Sequence, residues 1–231
     1  HPGRGLLEPA DCLEVAEQRG QRHTGGLWSC QDVCLQARAI EAMNGAPIPI
    51  SINLSSRQYN HAGLAEELHQ IITESGLAPS LLMVKIDERT LAERPEETTT
   101  VLRRLKSLGI GLTLDRFGSG LSSLTLLREL PFDQVKIDPA LLQHASGDES
   151  AAAITRTLIR LARQLNMQAA ATVVETEEQD RFLRQSGCHL LQGPRFCPAI
   201  PSEELANLFA EVRAGRKLLP ALAADDSVMS Y

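Results

Sequence analysis

The residues best suited to phosphate or metal chemistry lie at the ends of two apolar segments in the middle of the chain. An apolar run from Ile110 to Leu114 ends in Asp115, and the run 135–137 carries Lys136 in an otherwise apolar setting. A carboxylate can ligate a hard cation, and an ammonium can bind a phosphate oxygen. Because charges at the carboxyl ends of parallel strands face the mouth of an α/β barrel, we expect Asp115 and Lys136 to meet at one site.

A glycine-containing loop joins these two segments and is expected to lie beside the site. It begins with Arg116 and contains Gly118, Ser119 and Gly120, while Ser122 and Ser123 are suited to cap a following helix. By itself such a loop is a weak indication of phosphate binding. The segment as a whole predicts a strand, a loop, a helix and a second strand.

The elements on either side must position this segment, and their spacing favours one α/β domain. Strand and helix patterns alternate at roughly 25–35 residues, which is typical of a parallel sheet built from βα units. The predicted strands are Pro47–Leu54, Leu81–Ile86, Ile110–Leu114, Val135–Ile137, Met167–Val174 and His189–Leu191. The predicted helices are Pro9–Arg19, Ser29–Met43, His61–Ser75, Pro95–Leu108, Asp148–Leu165, one capped by Thr176, and Pro201–Arg213.

Four motifs in this order resemble the EAL domain family, the class of cyclic-di-GMP phosphodiesterases. The family's DDFGxGxSS loop and KID strand are similar to residues 115–123 and 136–138; its other motifs are similar to 52–55, 84–88, 171–176 and 192–193. The chain opens at His1-Pro2, where members have just completed EALxRW. The resemblance therefore implies a TIM-like barrel of the EAL type that lacks its opening strand or strands, over residues 1–214, followed by a tail at 215–231.

The resemblance also implies which residues line the site. Enzymes of the family use two divalent cations, Mg or Mn, held by carboxylates and an asparagine, to activate water. Of these ligands Asn53 and Asp115 are present, and Lys136, Glu175 and Gln192 match other site residues. The expected ligand-binding set is Asn53, Lys85, Asp115, Arg116, Lys136, Glu175, Gln192 and Gly193, and Glu88 matches a residue that stabilises the glycine-containing loop.

Several metal-ligand positions carry the wrong charge for that chemistry. Lys85 and Arg116 stand where the family has carboxylates, and Thr172 replaces a glutamate. With Asp115, the four ionisable positions present sum to +1 instead of −4. At ~4 Å and an effective dielectric of about 20, each repulsion between unit charges costs about 4 kcal/mol. We therefore predict that the metals, and with them the phosphodiesterase activity, have been lost.

Two interpretations of Lys85 and Arg116 remain open at this point. In the first, the two cations replace the metals and contact a ligand phosphate directly, which suits the bidentate geometry of arginine. In the second, they neutralise Asp115 and Glu88 in a site that no longer binds a ligand. Pro194 stands where an aromatic residue often follows the Gln-Gly pair of the family, which favours the second interpretation.

Composition restricts the classes of partner. The 231 residues carry a net charge of −6, which argues against a nucleic-acid polymer as ligand. No apolar run is long enough to span a membrane, so we expect a cytoplasmic domain without membrane contact, whether or not it belongs to a larger, membrane-anchored protein. Cys30 and Cys34 lie one helical turn apart and are expected to be buried thiols, and Trp28 is expected to pack in the core.

These observations support three hypotheses of function. The first is a catalytically inactive EAL-like domain in cyclic-di-GMP signalling, acting as a nucleotide receptor or as a regulatory module that binds a protein partner. The second is an active phosphodiesterase with an altered metal site. The third is a structural module for homodimerisation, since the glycine-containing loop lines a dimer contact in the family. Titration with cyclic-di-GMP and an assay of turnover separate them.

Overall fold

Six parallel strands form the centre of the protein. The computed structural model describes residues 22–59, 61, 63–93, 95–119, 124–145 and 147–214. Within them, one sheet runs in sequence order as β1 (Ile50–Asn53), β2 (Leu82–Asp87), β3 (Gly111–Phe117), β4 (Gln134–Ile137), β5 (Gln168–Ala171) and β6 (Leu190–Leu191). Every neighbouring pair is parallel, so the sheet curls into a half-barrel. The predicted α/β, TIM-like fold is confirmed.

Helices connect the strands and cover one face of the sheet. They are α1 (Arg22–Asn44), α2 (Ser56–Tyr59), α3 (Leu64–Ser75), α4 (Glu88–Glu93), α5 (Pro95–Ser107), α6 (Leu124–Glu129), α7 (Pro139–Ala145), α8 (Glu149–Gln164), α9 (Glu177–Gln185) and α10 (Ser202–Arg213). Four of the longer helices, α3, α5, α8 and α10, lie within three residues of their predicted bounds, whereas α1 begins at Arg22, seven residues before the predicted start at Ser29. The short helices α2, α4 and α7 were not predicted, because four to seven residues just after a strand carry too little periodicity to indicate a helix.

Alternation along the strands decides which side chains reach the candidate site. In β2, Leu82, Val84 and Ile86 are fully buried in the core, whereas Lys85 and Asp87 lie on the opposite face and are half-buried. Successive side chains of a strand point to opposite faces, so a lysine inside an apolar run falls on the face that the core does not occupy. The same alternation places charged groups of neighbouring strands side by side.

Local signals at helix ends are reproduced by the structure. Asp148 caps α8 by accepting a hydrogen bond from the Ser150 amide at 2.8 Å. Thr176 and Gln179 form a complete capping box at the start of α9. These motifs depend on residues only two or three positions apart, which is why the sequence alone predicts them well.

Several predictions from the sequence are wrong. The loop predicted to begin at Arg116 begins later, because β3 continues through Arg116 to Phe117. The strand predicted to run from Met167 to Val174 ends at Ala171, because Val173 adopts a φ of +60° that leaves the extended conformation. Trp28 is 66% exposed and does not pack in the core. In contrast, Cys30 and Cys34 are buried free thiols, as predicted.

Some predictions fall on residues that the structure does not describe. The helix at 9–19, the capping residues Ser122 and Ser123, and the tail at 215–231 lie outside the described residues. Among the helices that are described, none is both long and apolar enough to cross a lipid bilayer.

Candidate functional site

The carboxyl ends of the first four strands bring the central charged residues to one place. Asn53, the last residue of β1, is in register with Lys85 of β2, and Asp87 of β2 is in register with Asp115 of β3. Lys136 lies on the next strand, β4. The sheet register thus gathers residues that are more than eighty positions apart in sequence.

Lys85 and Lys136 are close enough to each other and to Asp115 to interact electrostatically. Burial lowers the pKa of the Lys136 ammonium, the neighbouring Lys85 ammonium lowers it further, and Asp115 opposes both effects. Burial also lowers the pKa of Lys85, again opposed by Asp115. Lys136 is 9% exposed, and its Nζ donates a hydrogen bond to Oε1 of Gln192 at 3.2 Å. Two ammonium groups therefore share one carboxylate.

Arg116 follows Asp115 in a backbone conformation that is unusual for arginine. Its φ is +56°, and its backbone N–H donates to Oδ1 of Asp115 at 3.0 Å. The guanidinium is largely exposed, and its Nε lies 3.7 Å from Oδ2 of Asp87. Arg116 thus forms an ion pair at the rim of the site, whereas the two lysines lie deeper.

Glu88 connects β2 to the glycine-containing loop. Its side chain is 2% exposed, and Oε2 accepts hydrogen bonds from the Ser119 backbone N–H at 2.9 Å and from the Ser119 hydroxyl at 2.5 Å. The preceding Gly118 has a φ of +99°, and a Cβ there would lie 2.6 Å from Leu158 of α8 and 2.8 Å from Leu141 of α7. The start of the loop is fixed from both sides, while 120–123 are outside the described residues.

The turn that contains Gln192 and Gly193 closes the site on the side of β5. The Gln192 backbone N–H donates to the Ala171 carbonyl at 2.9 Å, and its carbonyl accepts from Val174 N–H at 3.0 Å. A Cβ on Gly193 would lie 2.3 Å from the Val174 carbonyl oxygen, so only glycine allows this approach. Backbone contacts in this turn therefore set the position from which the Gln192 side chain reaches Lys136.

Glu175 is the predicted site residue that the structure does not join to the others. Its side chain is exposed and makes no hydrogen bond or ion pair within the described part of the chain, although its backbone N–H donates to Gln179 Oε1 at 2.8 Å. Asn53 is also exposed and takes part only through its register with Lys85.

Three residues that support the site were not predicted from the sequence. Asp87 pairs with Arg116, and the buried Tyr59 hydroxyl donates to the Lys85 carbonyl at 2.8 Å. Asp180 accepts hydrogen bonds from Arg184 and from Arg195, which lies just after the Gln192–Gly193 turn. The spacing of Asp180 and Arg184 on α9 was a readable signal for one of these contacts. Contacts with Tyr59 and Arg195 depend on the fold and had no signal.

The donor set at the strand ends does not fit a pair of divalent cations. Lys85 takes the position on β2 where an oxygen ligand is needed, and Thr172 follows β5 where a carboxylate is needed. Among the residues that the structure describes, no group of three or more His, Cys, Asp or Glu side chains is arranged to hold a metal ion. Hard cations require several oxygen ligands, and an adjacent ammonium repels them.

Sequence comparisons identify what the chain is similar to. A sequence model described as the EAL domain matches residues 1–199. MucR of Pseudomonas aeruginosa, a bifunctional diguanylate cyclase/cyclic di-GMP phosphodiesterase, is 35% identical over 205 residues, which are 89% of this chain and 30% of MucR. An uncharacterized signaling protein of Caulobacter vibrioides is 38% identical over 193 residues, 84% of this chain and 23% of that protein. The chain thus spans less than a third of the length of these curated relatives.

Structural comparisons agree with the sequence matches. The solved complex of the PaMucR phosphodiesterase with c-di-GMP superposes with a TM-score of 0.83 at 35% identity, over 89% of this chain and 83% of that chain. The FimX EAL domain of Pseudomonas aeruginosa bound to c-di-GMP gives a TM-score of 0.75 at 20% identity, over 85% and 78% of the two chains. At that identity the second match shows a shared fold only.

Proposed function

Because the chain belongs to the EAL domain family, we propose that it acts in cyclic-di-GMP signalling as a receptor that binds the dinucleotide without hydrolysing it. One observation carries this proposal. Lys85 lies on β2 in register with Asn53 and interacts electrostatically with Lys136 and Asp115, at the position where the family's chemistry requires an oxygen ligand.

Hydrolysis of a phosphodiester in this family depends on metal ions that activate water and stabilise the charge on phosphate. Lys85 provides a positive charge in their place. An ammonium group does not bind and activate water as a metal ion does, so no nucleophile is generated for hydrolysis. Lys85 and Lys136 can still attract a phosphate group, and the Gln192–Gly193 turn still shapes the opposite wall. Binding and hydrolysis are therefore expected to separate in this protein.

Two assays on the purified 231-residue chain test the proposal. In the first, cyclic-di-GMP is incubated with the protein and Mg²⁺ or Mn²⁺, and linear dinucleotide is measured by chromatography. In the second, calorimetry measures the binding of cyclic-di-GMP in the presence of EDTA. We expect no product and metal-independent binding in the micromolar range. Accumulation of linear dinucleotide in proportion to enzyme, or no binding at high micromolar ligand, would refute a non-hydrolytic receptor.

A further inference from the structure

The buried ammonium of Lys136 and the half-buried ammonium of Lys85 both interact electrostatically with the carboxylate of Asp115, which leaves one unit of positive charge in the site. Lys85 and Lys136 repel each other, and Asp115 is the acidic group that interacts with both. We infer that Lys85 and Lys136 form an anion site, here called the phosphate anchor, that takes a phosphodiester monoanion. This inference rests on the proposed function and deepens it, because the anchor would hold one phosphate of the bound dinucleotide.

The backbone positions of the two lysines are fixed before any ligand arrives. Lys85 lies on β2 between two paired strands, in register with Asn53 on one side and Thr113 on the other. The buried Tyr59 hydroxyl also holds the Lys85 carbonyl. Lys136 lies on β4, whose residues are all buried. A fixed backbone reduces the freedom that remains to be lost when each lysine side chain binds an anion, which favours affinity.

The hydrogen-bonding capacity of the two lysines is not used up. Each ammonium has three N–H donors and no acceptor. Lys136 donates to Gln192, and no other partner of its ammonium is found in the described part of the chain. The Lys85 ammonium donates no hydrogen bond to any residue described in the structure. Donors therefore remain at both groups for the oxygens of an anion.

Two nearby carboxylates, those of Asp87 and Glu88, bind other groups and do not neutralise the remaining positive charge of Lys85 and Lys136. Asp87 pairs with Arg116 at the rim, and Glu88 is buried against the amide and hydroxyl of Ser119. Two ammonium charges against the single charge of Asp115 leave +1. A phosphodiester carries one negative charge, so it balances the cluster and supplies two free oxygens as acceptors. The interpretation in which Lys85 and Arg116 only neutralise Asp115 and Glu88 is thus less favoured, because Arg116 pairs with Asp87 and Glu88 bonds Ser119.

The anchor can be tested apart from dinucleotide binding by a probe that contains only the phosphodiester group. Dimethyl phosphate at ~100 mM is compared with sodium chloride at equal ionic strength, and thermal unfolding is followed by circular dichroism. We expect dimethyl phosphate to raise the unfolding midpoint of the unchanged protein by about 2–4 °C. The Lys85→Met and Lys136→Met variants should each lose this shift.

Lys106→Met is the matched control, because it removes the same kind of charged group outside the site. Lys106 lies on α5 and pairs with Asp133, the residue just before β4. This variant should keep the full shift, which excludes a general effect of net charge. A shift of equal size in Lys85→Met and the unchanged protein, or no shift in either, would overturn the anchor. Each variant is compared with itself with and without the probe, so a change in its own stability does not disturb the result.

The same variants are then titrated with cyclic-di-GMP in EDTA. We expect Lys85→Met and Lys136→Met to weaken binding tenfold or more, and Lys106→Met to change it less than twofold. Equal affinity in all variants would overturn the anchor and leave the receptor proposal intact. If dimethyl phosphate acts as expected but cyclic-di-GMP does not bind, the anchor stands for another phosphodiester and the receptor proposal fails.

Discussion

At the scale of single residues, Val173 is the clearest departure from ordinary backbone chemistry. Its φ of +60° lies in the left-handed region, which a β-branched side chain rarely adopts. The residue is 38% exposed, so packing around its side chain does not explain the conformation. The path of the chain requires this conformation. The chain must turn between Ala171, the end of β5, and Val174, whose backbone N–H donates to the Gln192 carbonyl. The strain is a cost of placing the turn beside the site.

Replacing Val173 by glycine should therefore stabilise the fold. Glycine adopts a positive φ without a Cβ clash, and relief of about 1 kcal/mol is expected in the free energy of unfolding, measured with urea. Val173→Ala keeps the Cβ and should recover only part of the gain. A Val173→Gly variant less stable than both Val173→Ala and the unchanged chain would contradict this account.

Lys85 provides a second prediction at this scale, now on the dependence of stability on pH. Because burial lowers the pKa of Lys85 in the folded state, its charged form destabilises the fold at neutral pH. Lys85→Met removes that ammonium and should raise the free energy of unfolding at pH 7.

The advantage of Lys85→Met should shrink as pH rises. Below the pKa that Lys85 has in the folded protein, its ammonium is charged in both the folded and the unfolded state, so the full cost of burying the charge is present. Between the folded value and the unfolded value of about 10.4, the unfolded chain binds more protons, so the unchanged protein gains stability with pH. Urea unfolding of both proteins at pH 7 and pH 10 measures the difference. An advantage that stays constant or grows would contradict the assigned burial of the charge.

At the scale of elements, Asp180 joins α9 to the segment that follows the Gln192–Gly193 turn. Its side chain is largely buried, and its two oxygens accept from Arg184 Nε at 2.5 Å and from Arg195 Nε at 3.3 Å. Arg184 lies on the same helix, but Arg195 comes from the far side of the turn. One carboxylate thus holds together the helix and the turn that positions Gln192.

Asp180→Asn should weaken both contacts and lower the free energy of unfolding by about 2 kcal/mol, because a buried ion pair loses one partner while the arginines remain. The matched control is Glu177→Gln, which neutralises an exposed pair with Arg181 on the same helix and should cost less than about 0.5 kcal/mol. Urea unfolding measures both. Equal costs for the two substitutions would show that Asp180 does not join the turn to α9.

At the scale of the whole molecule, the half-barrel keeps its site geometry through contacts that need no metal. The strand register, the Glu88–Ser119 contact and the Gln192–Gly193 turn are all made by the chain itself. A fold held in this way should be indifferent to chelators, whereas a site with carboxylates restored should respond to cations.

The triple variant Lys85→Glu, Arg116→Asp and Thr172→Glu tests this directly. Aspartate tolerates the positive φ at position 116, so the change is compatible with the backbone. We expect 5 mM Mg²⁺ to raise the melting temperature of the triple variant by about 3 °C or more and to leave the unchanged protein within about 1 °C. We also expect the triple variant to lose its binding of cyclic-di-GMP in EDTA. A Mg²⁺-dependent shift in the unchanged protein would contradict the assigned charge pattern.

Sequence alone determined the features that depend on near neighbours and on motif order. The apolar runs, the helix cap at Thr176 and the ordered motifs around Asp115 predicted the strands, a helix start and the family. Substitution of charged residues at known motif positions also predicted that Lys85 and Arg116 belong to the site. These signals are local, because a strand, a cap and a motif are each encoded in a few consecutive residues.

Only the tertiary structure decided how those charges are distributed. It separated Arg116, paired with Asp87 at the rim, from Lys85 and Lys136, which share Asp115. It also placed Val173 in a strained turn and Trp28 on the surface. Electrostatic interaction depends on distance and burial in three dimensions, and strand register sets both by pairing residues far apart in the chain, so no pattern along the sequence could provide them.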